Sequence, residues 1–213
     1  MAVALKAKLP RWKVLCVWTV STLLGMIVLG LIVFPIFVLD VYDWRILSIA
    51  GALVGLPIGA VVGYSQRRVL PPQLEWAAGW TWATALGYAL GGSLAVTMFG
   101  WLADQGGGGI DPIAAAMLGP FSSVGIGVGQ WLLLRHHVQR AGLWIVATVL
   151  AWGAGAIIAL ILNTLLPLIL SRDQISGWAM WSVLFPYASI PGLLTGLLWR
   201  RFVDPLAKRP KTP

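Results

Sequence analysis

Charge is what this 213-residue chain lacks most: Asp, Glu, Lys and Arg together make up 10% of it, while 59% is hydrophobic. That is too little polar surface to cover a water-facing globule of this length, which excludes an ordinary soluble domain. Cysteine is nearly absent. The single Cys16 rules out an internal disulfide and a cysteine-built metal site. Histidine occurs twice, as the neighbours His136 and His137, and adjacent residues diverge by about 100° on a helix, so they do not chelate one ion together. Acids number seven, and none falls inside the long apolar runs, where a buried carboxylate would mark proton- or sodium-coupled transport. No Ser/His/Asp, Cys/His or paired-carboxylate set is present either, so the reading is that the chain is not an enzyme and carries no metal or cofactor.

What is present is glycine (25), tryptophan (13) and long apolar runs. Glycine is more frequent in membrane helices than in soluble ones, and tryptophan collects at membrane interfaces. Six runs, at 14–39, 46–66, 76–103, 112–134, 141–171 and 174–199, are long enough for the roughly 20 helical residues that cross a hydrocarbon core. Continuous apolar runs also differ from the alternation that barrel strands need. The expected fold is all-α: a polytopic membrane protein of six transmembrane helices forming one domain over 1–213. The first run is preceded by Lys6, Lys8, Arg11 and Lys13. At 26 residues with no small-residue cleavage site after it, it reads as a retained helix rather than a signal peptide.

The net charge of +8 would suit nucleic acid, but its distribution points to lipid. Thirteen of the 15 Lys and Arg fall in the N-terminus, the 67–75 and 135–140 loops and the tail, while Asp40, Asp43, Asp104, Asp111 and Asp173 fall on the other side. By the positive-inside rule both termini are expected to be cytoplasmic. Pro71-Pro72 is expected to make a tight turn. Gly106 to Gly109 reads as a plain outer loop, since no Lys-Ser or Lys-Thr follows to make a phosphate cradle. The basic tail at 204–213 should lie against anionic headgroups. Partners are therefore the lipid bilayer and other membrane proteins, with no nucleic acid.

The chain also repeats itself. Trp18-x3-Thr22-x2-Gly25 returns as Trp80-x3-Thr84-x2-Gly87 and as Trp144-x3-Thr148-x2-Ala151. Positions i, i+4 and i+7 share one helical face, so each odd run presents a stripe of Trp, Thr and a small residue. The even runs carry a matching stripe: Gly59, Gly63 and Gln66, then Ser123, Gly127 and Gln130, then Gly192, Gly196 and Trp199. Small residues four apart let helix backbones approach closely where lipid provides no hydrophobic drive between helices. Pro57, Pro120 and Pro191 precede the Gln or Trp and are candidate kinks. This agreement implies three tandem helical hairpins, approximately 11–70, 75–140 and 141–203, in a pseudo-threefold bundle.

Three two-helix units resemble the mitochondrial solute carriers in architecture alone, because no odd helix here has their Pro-x-Asp/Glu-x-x-Lys/Arg signature. The run Gly127-x2-Gln130-Trp131-Leu132-x-Leu134-Arg135, followed by Arg140-Ala141-Gly142-x-Trp144, is similar to a family of small repeat-containing membrane proteins encoded in cyanobacteria and filamentous phototrophic bacteria. That resemblance implies a bacterial inner membrane or a photosynthetic membrane and transfers no functional residue.

Two readings of the stripes follow. Trp18, Trp80 and Trp144, with Thr22, Thr84, Thr148, Gln66, Gln130 and Trp199, form either an aromatic, amide-lined ligand site or a ring in which each indole packs into a neighbour's glycine notch and its N–H finds an acceptor. We adopt the second, with a non-enzymatic packing or assembly partner as the expected function. The alternative is a small-solute or lipid transporter, or a pore, lined by the kinked even helices. Residues that break the repeat (Asn163, expected to bond another helix, Tyr88, Ser93, Thr97 and Trp199) point to any specialised role.

Overall fold

The structure is a computed structural model and describes residues 11–38, 43–70, 74–105, 112–169 and 185–199. The expected Pro71-Pro72 turn, the Gly106–Gly109 loop and the 204–213 tail lie outside them. Every regular element among the described residues is helical: α1 Arg11–Val38, α2 Trp44–Arg67, a 3-10 turn Glu75–Gly79 leading into α3 Trp80–Gln105, α4 Pro112–Leu134, α5 Leu143–Ile169, and α6 at 185–199. Four stretches, Arg45–Arg67, Trp76–Leu102, Met117–Leu134 and Leu143–Leu165, are long and apolar enough to cross a membrane. The described residues are thus all-helical in their regular elements, with membrane-spanning capacity in α2 to α5.

Local chemistry sets the helix ends. Asp43 caps α2, its carboxylate accepting from the Arg45 N–H at 2.9 Å, which satisfies one of the orphan donors of a first turn. Arg67 lies in the last turn of α2, where a cation meets the negative end of the helix dipole. Between α4 and α5 the backbone turns through Arg140 at φ 59°, a left-handed conformation uncommon for a residue with a Cβ.

The helices pack side by side in chain order and close on themselves. Along α2, glycines meet α3 in antiparallel register: a Cβ added at Gly51 would lie 2.7 Å from the Gly92 carbonyl, one at Gly59 2.8 Å from Ala85 Cα, and one at Gly63 2.8 Å from Thr84 Cβ. Gly87 of α3 abuts Ile126 of α4, Gly127 of α4 abuts Ile145 of α5, and Gly155 of α5 abuts Pro186 and Pro191 of α6. Gly192 of α6 meets Thr19 of α1, and Gly25 of α1 meets Val62 of α2. Six seams thus form a closed ring. A glycine inside a helix costs about 1 kcal/mol relative to alanine; here its return is backbone-to-backbone approach that any side chain would prevent.

The outward faces are as apolar as the interior. Leu53 is 68% exposed and Leu168 78%, a surface stable only where the surrounding solvent is itself apolar. Cys16 is also exposed. Inside the ring, Trp18, Leu70, Trp80, Leu134, Trp144 and Trp199 form one buried cluster at the end carrying Lys13, Arg67, Arg68, Arg135 and Arg140. A second cluster of Ile58, Val62, Tyr88, Ile126, Trp152 and Tyr187 lies deeper.

Candidate functional site

The buried tryptophans arise from the odd-helix stripes. Trp18, Trp80 and Trp144 are among the largest fully buried side chains, and Thr22, Thr84 and Thr148, one turn on, are buried too. A buried indole N–H needs an acceptor, and two of the three take a glutamine. Trp80 donates to Gln66 Oε1 at 3.0 Å and Trp144 to Gln130 Oε1 at 2.8 Å, each spanning 14 residues. Gln130 then donates through Nε2 to Thr84 Oγ1 at 3.2 Å, tying the Trp144–Gln130 pair to α3. Thr22 and Thr148 donate instead to the Trp18 and Trp144 carbonyls at 2.9 and 2.7 Å, a common way for a hydroxyl to satisfy itself within an apolar helix bundle.

The third pair is built differently. Trp199 stacks on Trp18 with ring centroids 5.2 Å apart and meets Trp80 and Trp144 edge-on at 4.8 and 5.7 Å. One side chain touching indoles from three helices of a closed ring must lie inside it, so Trp199 plugs the axis. Offset and edge-to-face aromatic contacts of this kind add about 0.5–1.5 kcal/mol each beyond the area they bury.

This placement differs from the sequence expectation of Gly192, Gly196 and Trp199 as the counterparts of Gly59, Gly63 and Gln66. A Cβ at Gly63 would meet Thr81 Cα and Thr84 Cβ; one at Gly127, Ile145 Cα and Thr148 Cβ; and one at Gly192, Thr19 Cα and Thr22 Cβ. Gly192 therefore occupies the place of Gly63 and Gly127, one turn earlier than expected. By the same register Thr195 stands where Gln66 and Gln130 stand, and all three line one central cavity. Trp199 stands with Leu70 and Leu134 in the buried cluster beyond it. Gly196 instead packs on Trp18, a Cβ there lying 3.2 Å from Trp18 Cβ, and Ser123 and Gly59 are buried.

The three prolines are not equivalent either. Pro57 is exposed, Pro120 half-buried and Pro191 buried against the cavity. In the contact register it is Pro186 that corresponds to Pro57. No common axial face of prolines forms.

The cavity has a volume of about 20 Å³ and is walled by Trp18, Thr22, Gln66, Tyr88, Gln130 and Thr195, among others. One water needs roughly 10–15 Å³ by this measure, and small-molecule sites run to several hundred. Tyr88 and Trp152, each eight residues past a ring tryptophan, line it too. Trp152 was not singled out from the sequence, although its two-turn spacing from Trp144 repeats that of Tyr88 from Trp80. Tyr187 was also missed; its hydroxyl accepts from the Gly119 N–H, and no periodic signal foretells a contact between α4 and α6.

The remaining polar residues lie elsewhere. His137 stacks on Trp76 at 5.6 Å and His136 accepts from Arg135 Nε at 2.9 Å, both exposed at the basic end. Thr97 donates to the Ser93 carbonyl within α3 at 2.8 Å. Asn163 is half-buried in α5 and makes no side-chain hydrogen bond among the described residues, so the expected tie to another helix is not formed there. Among the described residues no three His, Cys, Asp or Glu gather to hold a metal.

Fold and site together define a helical protein with an apolar exterior and a tryptophan-filled centre. Comparison with family models, with curated proteins and with solved structures finds no match.

Proposed function

We propose that the chain is a multi-pass protein of a bacterial inner or photosynthetic membrane that acts as a non-enzymatic packing or assembly partner of other membrane proteins. In this reading six helices cross the bilayer as three tandem copies of one hairpin, with both termini cytoplasmic. The observation that carries it is the Trp199 plug: four indoles and two glutamines fill the axis at the basic end, and the cavity behind them admits about one water. Side chains spent on mutual packing make a rigid body with a lipid-facing exterior, which suits a partner whose outer faces do the work. The transporter or pore reading needs a wider polar route past Pro57, Pro120 and Pro191, and only Pro191 borders the axis.

The test is isolation after mild solubilisation of the native membrane. The reading expects the chain to co-purify with specific membrane proteins in fixed ratio. Recovery alone, in lipid only, from membranes where it is abundant would overturn it.

A further inference from the structure

The third pair in the ring leaves polar groups without protein partners around one small space. Trp80 and Trp144 donate to Gln66 and Gln130, but the position facing Trp18 holds Thr195, which is shorter by a carboxamide group. Trp18 is 1% exposed and lines the cavity, and its indole N–H has no acceptor among the described residues. Gln66 adds to the surplus. Because an indole can only donate, the Gln66 oxygen must face Trp80 and its NH₂ must face away, where it finds no protein acceptor among the described residues. The buried Tyr88 hydroxyl, also in the cavity wall, has none either. Acceptors stand opposite: Thr22 and Thr195 give their hydroxyl protons to the carbonyls of Trp18 and Pro191, at 2.9 and 2.6 Å, which leaves oxygen lone pairs free.

We propose that this cavity is a specific site for one ordered water, held by the Trp18 indole, the Gln66 amide and the Thr195 hydroxyl, and standing in for the missing third glutamine. Water fits on both size and chemistry. The cavity of about 20 Å³ exceeds what one water needs and falls short of any organic solute. Its wall offers both unmet donors and free acceptors, which water, accepting two and donating two hydrogen bonds, satisfies together. A bare ion would serve only one of the two sets. It would also sit in a low-dielectric interior with no opposite charge in the wall, at high cost. The site goes beyond the packing role and does not depend on it: a structural protein or a transporter of the same fold would carry it alike.

The test uses the full-length protein in detergent with ¹⁵N-labelled tryptophan, the Trp18 indole signal being assigned by its loss in Trp18→Phe. The expected result is a magnetisation-transfer cross-peak between water and the Trp18 indole proton, with none for Trp80 and Trp144. Thr195→Gln should complete the third glutamine–indole pair, abolish that cross-peak and raise Tm. Thr195→Val keeps the shape but removes an acceptor, and should weaken the cross-peak even if the glutamine variant fails to fold. No water cross-peak at Trp18 in the unmodified protein, or full strength in Thr195→Val, would overturn the proposal. So would a saturable shift of the Trp18 signal on adding sodium, chloride or fluoride, which would make the occupant an ion.

Discussion

Gln130 accepts the indole N–H of Trp144 at 2.8 Å and, through the other end of the same amide, donates to Thr84 on a third helix at 3.2 Å. One side chain from α4 thus holds α5 and α3 together. Gln130→Leu should strand the Trp144 N–H in an apolar interior and cost about 1–3 kcal/mol. Reversible unfolding of the purified protein checks this. Adding Trp144→Phe to the same chain should cost much less than Trp144→Phe alone, because the Gln130–Trp144 hydrogen bond that it would break is already absent.

Glycine seams make a sharper contrast. A Cβ at Gly127 would lie 3.1 Å from Ile145 Cα, whereas one at Gly153 meets nothing within 4 Å. Gly127→Leu is expected to force α4 and α5 apart and destabilise the protein by about 1–3 kcal/mol or more. Gly153→Ala should leave stability unchanged or raise it by up to about 1 kcal/mol, since alanine is the better helix former. Equal thermal stability of the two variants in detergent would show that the α4–α5 face is not a packing seam.

Trp199 is 4% exposed and touches four other indoles, those of Trp18, Trp76, Trp80 and Trp144. Trp199→Ala should open a cavity at the axis and cost about 3–5 kcal/mol, with a change in near-ultraviolet circular dichroism because coupled indoles dominate that spectrum. Trp199→Leu, which restores the residue found at the corresponding Leu70 and Leu134, should recover part of the loss.

In the third copy the sequence signal and the packing point to different registers. In the sequence, Trp199-Arg200-Arg201 looks like the close of the second stripe, because an aromatic followed by basic residues marks where a helix leaves the membrane. That signal reports depth, and rotation about the helix axis is set by what each small residue touches. The Gly-x2-polar spacing of Gly63–Gln66 and Gly127–Gln130 is present at Gly192–Thr195 as well. It is masked in the sequence because threonine is a poor likeness of glutamine and Gly196 supplies a second small residue one turn on. Elements punctuated by charge are plainer in the sequence: α2 begins beside Asp43 and Arg45 and ends at Arg67, and α4 ends at Leu134, just before Arg135. The burial of Trp18, Trp80 and Trp144 on one face follows from their i+4 threonines alone. Trp199 as an axial plug does not follow from any single helix, since it requires the ring to close.

Sidedness is open to labelling. With Cys16→Ser as background, a cysteine placed at Gly107 should react with a membrane-impermeant thiol reagent from outside intact cells, and one replacing the exposed Gln139 only after lysis. The reverse pattern would invert the proposed topology.

The central claim is that the tryptophan ring seals the axis, and flux through reconstituted liposomes tests it most directly. Full-length protein at several copies per vesicle should pass ions, small polar solutes and fluorescent lipids no faster than protein-free vesicles. A saturable flux that depends on the protein and changes in Trp199→Leu would contradict the claim and make the axis a pathway.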